Sequence, residues 1–123
     1  MAVMTITHAR LVTVPVTDQD RAKDFYVGKL GFEVLIDTKA GPVRWIQVAP
    51  KGAKTSFTLA TAEQGFTPGS VRGTILETSD LDGDCATLAK AGVVVDGPKD
   101  YPWGRQATFA DPDGNRFSLA GTP

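Results

Sequence analysis

The stretch VTDQDRAKDFYVGKLGFEV, residues 16–34, decides the fold, because the chain carries it twice in altered form. VTDQD at 16–20 returns as TSDLD at 78–82, 62 positions on (Asp18 to Asp80), and KLGFEV at 29–34 returns as KAGVVV at 90–95, 61 positions on (Lys29 to Lys90). Further out, Arg44 meets Arg105 at 61 positions and SFTLA at 56–60 meets RFSLA at 116–120 at 60 positions. Any one of these pairings could arise by chance. Four in the same order, with the offset drifting by only two positions, make a tandem repeat.

Both copies follow one local grammar. A β-rich run (ARLVTVPV at 9–16, RGTILET at 72–78) ends at a hydroxyl followed by acids. Thr17-x-x-Asp20 and Ser79-x-x-Asp82 read as helix N-caps, where a side-chain oxygen satisfies free backbone N–H groups. Apolar residues then recur at helical spacing, Ala22, Phe25, Tyr26 and Leu30 in one copy and Leu81, Cys85, Leu88 and Ala89 in the other. Gly31 and Gly92 close the helices. Three strands follow in each copy, over about 32–37, 43–49 and 54–61 and over about 93–96, 105–110 and 115–120. The expected architecture is α+β, two tandem βαβββ modules at about 8–61 and 72–121 joined by a loop at 62–71, in one domain spanning 1–123.

Composition narrows the function. Apolar residues are 41% and charged residues 22% of the 123, ordinary for a soluble globular chain with a sizeable core. A net charge of −1 without a basic stripe argues against a nucleic-acid partner. No apolar run is long enough to span a membrane and no signal peptide is evident, so no membrane association is expected. A single cysteine, Cys85, cannot form an internal disulfide and fits a reducing, cytoplasmic setting. No glycine-rich phosphate loop or nucleophile elbow is present.

VTDQDRAKDFYVGKLGFEV, taken with FADPDGNRFSLAG at 109–121, resembles the vicinal oxygen chelate superfamily, which groups glyoxalase I, extradiol dioxygenases, fosfomycin-resistance enzymes and bleomycin-binding proteins. The resemblance covers nearly the whole chain. It implies a cup-shaped, curled mixed sheet with helices outside, and usually a homodimer. In metal-dependent members the ligands stand at inward positions on the first and last strand of each module. Carried over by motif, those positions are Leu11 and Gly73, where histidines often stand, and Thr58 and Ser118, where carboxylates are expected. Leu and Gly side chains cannot coordinate, and neutral hydroxyls are weak donors for a catalytic metal. The expectation is therefore no metal and no cofactor.

The inward surface that follows is Leu11, Thr13, Thr58, Gly73, Ile75 and Ser118, which is small, neutral and partly apolar. Glu77 lies four residues beyond Gly73 and shares its direction by strand period; it is read either as a rim carboxylate or as a general base or cation anchor. Trp45 and Gln47 share one strand face and Arg44 takes the other, while Trp103 and Arg105 belong to YPWGR at 101–105. Tryptophan, tyrosine and arginine near a cup mouth suit a planar or acidic small molecule, and equally suit covering a sheet. His8, three positions before Leu11, faces the other way along a strand. Cys85 sits on the apolar helical stripe.

A metal-independent small-molecule-binding protein, sequestering an aromatic or antibiotic-like ligand as a homodimer, is the leading reading. The alternative is a glyoxalase-like lyase or isomerase, or a dioxygenase, with Glu77 as base. A pure interaction module is the third. Which face of strands 43–49 and 105–110 turns inward stays open, as does whether one chain or two complete the cup.

Overall fold

In the computed structural model, which describes residues 3–122, β1 (Leu11–Pro15) leads into a short helix α1 (Gln19–Lys23), and β2 (Glu33–Ala40), β3 (Val43–Ala49) and β4 (Ser56–Ala60) follow. After a single 3₁₀ turn at Ala62–Gln64, the pattern repeats as β5 (Thr74–Thr78), α2 (Leu81–Lys90), β6 (Val95–Tyr101), β7 (Gly104–Ala110) and β8 (Arg116–Gly121). Each module folds its strands into one sheet, in the orders β1-β4-β3-β2 and β5-β8-β7-β6. The first and last strands of each module run parallel, and the remaining pairs run antiparallel. This is the expected α+β fold of two βαβββ units.

Three local features depart from the sequence reading. The N-caps are Asp18 and Asp80, one residue after the hydroxyls expected there; their carboxylates accept from Arg21 N and Gly83 N at 3.0 and 3.1 Å. Thr17 is drawn elsewhere, since its hydroxyl donates to Asp113 Oδ1 at 2.6 Å. Beyond Lys23 the first helix widens into a π-helical turn over Asp24–Lys29, with Leu30 N reaching Phe25 O at 3.1 Å. That wide turn leaves the consecutive Phe25 and Tyr26 both buried. Finally, β6 runs through Asp96, Gly97, Pro98 and Lys99 to Tyr101, past the end expected at 96. Its register shifts between Asp96 and Lys99, and a Gly-Pro pair at that irregularity reads as a turn by composition.

One core serves both modules. Val14, Ile46, Val48, Phe57 and Leu59 from the first sheet join Ala107, Phe109, Phe117 and Leu119 from the second, together with Phe25, Tyr26, Leu81, Cys85 and Leu88 from the helices. Aromatic rings cross the seam directly: Phe57 meets Phe117 edge-on at 6.3 Å, and Tyr26 meets Phe117 at 6.1 Å. Beneath them the DPDGN turn forms a buried polar knot. Asp111 Oδ2 accepts from Tyr26 Oη and from Asn115 Nδ2, both at 2.8 Å, and Asn115 Nδ2 also donates to the carbonyl of Pro15 at 2.8 Å. Asn115 Oδ1 accepts from Val71 N at 3.1 Å, so one fully buried side chain ties β1, the inter-module segment and β8 together.

Candidate ligand-binding site

Strand alternation and the shared core together decide which sheet faces turn away from the core, although Ser56 and Thr58 on the first such face are themselves buried. In the first sheet the core takes Val12, Val14, Ile46, Val48, Phe57 and Leu59. The opposite, outer face then carries Leu11 and Thr13 of β1, Ser56 and Thr58 of β4, and Trp45 and Gln47 of β3. The register confirms these neighbours, with Leu11 opposite Ser56 and Thr58 opposite both Thr13 and Gln47. In the second sheet the core takes Leu76, Ala107, Phe109, Phe117 and Leu119. Ile75 and Glu77 of β5, Gln106 and Thr108 of β7 and Ser118 of β8 share the outer face, Ser118 standing between Ile75 and Thr108. The side of strands 43–49 and 105–110 turned away from the core is thereby identified: it carries Trp45 and Gln47 on one and Gln106 and Thr108 on the other.

On the first sheet a polar chain fixes an aromatic platform. Trp45 Nε1 donates to Gln47 Oε1 at 3.1 Å, Gln47 Nε2 donates to Ser56 Oγ at 2.7 Å, and Ser56 Oγ donates to the Arg10 carbonyl at 3.3 Å. The indole is thus held by its only donor, leaving its π surface as the available contact. Ile36 and Thr38 of β2, paired with Gln47 and Trp45, extend this face. Sequence reading missed both, because the β2 register shifts between Val34 and Ile36 and breaks the alternation that would have shown them. On the second sheet it missed Gln106 and Thr108, which become visible once Ser118 is known to pair with Thr108.

Three of the anticipated residues stand apart from this grouping. Arg105 follows the parity of Ala107 and Phe109 and lies on the helix side, bonded to Asp82 Oδ1 at 3.0 Å and Asp100 Oδ1 at 3.2 Å. Trp103 sits in the β6–β7 turn, 71% exposed and stacked on Tyr101 at 5.0 Å. Gly73 immediately precedes β5 with φ at +79°, a left-handed conformation that disfavours any side chain bearing a Cβ. His8 is exposed and bonds Thr7 Oγ1 at 2.9 Å, while Cys85 is buried and burial pushes its thiol pKa up.

The arginine repeat is a structural device built twice. Arg44 binds Asp20 at the start of α1 at 2.6 Å and Asp37 of β2 at 3.0 Å, as Arg105 binds Asp82 of α2 and Asp100 of β6. Hydrogen bonds from Arg44, then from Lys23, hold the Asp37 carboxyl well below the usual carboxylate range, and Arg44 likewise lowers Asp20. Both guanidiniums are consumed on the helix side, where neither faces the sheets' outer surfaces.

The four positions that a metal would need do not suit one. Leu11 and Gly73 present no donor atom, and the Thr58 hydroxyl is spent on the Ile46 carbonyl at 3.0 Å. Among the described residues, no group of three or more His, Cys, Asp and Glu side chains is gathered closely enough to hold a metal ion.

Over residues 5–119 the chain matches the family model described as Glyoxalase/Bleomycin resistance protein/Dioxygenase superfamily. The chain belongs to that superfamily. A similar solved structure is TnmS3, described as an antibiotic binding protein from Streptomyces sp. CB03234: 53% identity, TM-score 0.91, covering 98% of this chain and 99% of that one. A superfamily member from Sphaerobacter thermophilus DSM 20745 superposes with TM-score 0.89 at 38% identity, covering 97% of this chain and 100% of that one. The protein YetH of Bacillus subtilis (strain 168) is 35% identical over 111 residues, 88% of this chain and 92% of its own. The superfamily spans binders and enzymes, so membership fixes the fold and leaves the chemistry to the site. No described helix is long and apolar enough to cross a membrane.

Proposed function

We propose that this protein binds a small, planar, antibiotic-like aromatic molecule without a metal ion, and that Trp45 is the stacking platform. The observation that carries the reading is the Trp45–Gln47–Ser56 chain, which anchors an indole on a sheet face that is otherwise neutral and hydroxyl-lined. Such a face can enclose and orient a ligand but has little with which to polarise one. The Leu11, Thr58, Gly73 and Ser118 set argues for metal independence on donor chemistry. The likeness to an antibiotic-binding protein at 53% identity supports the ligand class.

A second copy completes each site in this reading. Both sheets spend their core faces on one shared core, so within a chain the two outer faces point away from it and each covers a ligand from one side. Ile36 at 42% exposed and Ile75 at 58% remain unburied on those faces. A homodimer that sets the Trp45 face of one chain against the Ser118 face of its partner makes two equivalent closed sites.

The test is a fluorescence titration of the Trp103→Phe variant, which leaves Trp45 as the only indole, against a panel of polycyclic aromatic antibiotics after exhaustive chelation. Saturable quenching that survives chelation, together with a solution mass twice the 13.0 kDa chain, is expected. A tightly held stoichiometric metal, or failure of every panel member to quench, would overturn the reading.

A further inference from the structure

Where the outer face of the second sheet ends at Glu77, a cavity of about 380 Å³ opens along the seam between the modules. Its apolar lining includes Phe32, Leu76, Leu88 and Leu119, within the core cluster or packed against it. Its polar lining divides by module. The first module supplies Lys29, from the end of the π turn, and Lys51, from the β3–β4 connection. The second supplies Glu77, from the end of β5, and Asp84, from the first turn of α2.

These four residues line one cavity without neutralising one another. Neither Lys29 nor Lys51 makes an ion pair or side-chain hydrogen bond with a described residue, and the same is true of Glu77; Asp84 accepts only from the Thr78 hydroxyl. Elsewhere the chain pairs its charges readily, as Lys23 does with Asp37 and Lys99 with Asp96. Here the first module contributes cations and the second acids to the lining of one cavity that is otherwise largely apolar. A molecule carrying both charges on an apolar body matches all three contributions at once, whereas a plain anion or cation matches one set of charges and meets repulsion from the other. The volume lies within the range of small-ligand pockets, on the order of 300–1,000 Å³, and admits a molecule of dipeptide size.

We propose that the seam cavity binds a small zwitterion with apolar side chains, of the dipeptide class, its carboxylate against Lys29 and Lys51 and its ammonium against Glu77 and Asp84. The site is separate from the Trp45 platform and does not depend on it.

The experiment is a ¹H–¹⁵N NMR titration of the labelled full chain with L-leucyl-L-leucine, its N-acetyl form and its C-terminal amide, which share one apolar body and differ only in charge. Expected are saturating shifts at residues 29–32 and 78–88 with the free dipeptide, and binding at least about tenfold weaker for each blocked form. A Lys29→Gln/Lys51→Gln double variant, at exposed positions that leave the core untouched, is expected to lose at least about tenfold for the free dipeptide while keeping Trp45 quenching by an aromatic ligand. Equal binding of either blocked form, an unaffected double variant, absence of saturation in the millimolar range, or shifts confined to Gln47, Thr58 and Ser118 would each overturn the proposal.

Discussion

Replacing Tyr26 by Phe removes one oxygen from the buried knot and changes almost nothing else, so its consequences can be worked out closely. The ring is 1% exposed and packed against Phe25, Phe32 and Phe117, contacts that phenylalanine keeps. What disappears is the 2.8 Å hydrogen bond from the phenol to Asp111 Oδ2. A buried hydrogen bond to a carboxylate contributes about 1.5–3 kcal/mol. For a domain of this length, with an unfolding entropy of about 2.1 cal/mol/K per residue, that is a loss of roughly 6–12 °C in Tm at neutral pH. The pH dependence carries a second signature. Burial first, and then the charge and hydrogen bond of Asp111, raise the Tyr26 pKa far above its ordinary value of 10.0. The folded state therefore keeps the phenolic proton that the unfolded chain releases. Its stabilising contribution is fully present below pH 10 and is lost as pH rises beyond it, at about 1.4 kcal/mol per pH unit. The variant has no such proton. The stability gap between the two proteins should hold constant to about pH 10 and close near pH 11–12. Denaturant unfolding of both proteins across that range measures it. A gap absent at pH 7, or one that stays open at alkaline pH, would refute the account of the knot.

Other consequences follow from the same packing. Phe117→Ala empties the point where Tyr26, Phe57 and Phe109 converge and should cost about 3–5 kcal/mol in denaturant unfolding. Gly69 has φ at +77° and its missing Cβ would lie on the carbonyl oxygen of Asp113, so Gly69→Ala should lower Tm well beyond a surface substitution, whereas Gly52→Ala, with open space around it, should lower it less. Asp37 has a folded pKa below its ordinary 3.8, so its contribution is complete above about pH 4 and drains away as pH falls; Arg44→Gln should lower stability at neutral pH and flatten the acid limb of thermal melts between about pH 2 and 5. Trp103→Ala, at an exposed turn, should shift stability within about 0.5 kcal/mol.

Most of the fold was legible because the repeat is local and linear: the offset of the helix segments, the glycine stops and the SFTLA/RFSLA strands all survive as patterns in the chain. The places where reading failed are those set by tertiary partners. Asp18 caps the first helix while the Thr17 hydroxyl expected there bonds Asp113, 96 residues away, a partner that no local window shows. The π turn at Asp24–Lys29 exists to seat two adjacent aromatics, which a regular helical period does not anticipate. The Tyr26–Asp111–Asn115 knot joins residues 85 apart and has no local sequence signature. For the site, alternation placed Trp45 beside Gln47 correctly, but only the core on the other side of the strand could say which pair of faces turned away from it. The seam cavity lies between modules and was invisible to a reading made one module at a time.

The knot also sets a timetable for synthesis. Its acceptor and its central amide, Asp111 and Asn115, follow the groups they bond, Tyr26 and the Pro15 carbonyl, by 85 and 100 residues. A nascent chain emerging from the ribosome can assemble the first βαβββ unit only provisionally, with the phenol of Tyr26 lacking its acceptor and Phe57 its neighbour Phe117. Packing of the first unit is thereby deferred until residues 111–117 have emerged, and fragments ending before residue 111 lack the groups that close this face. The DPDGN turn is thereby the piece for which the first unit waits, although it belongs to the second.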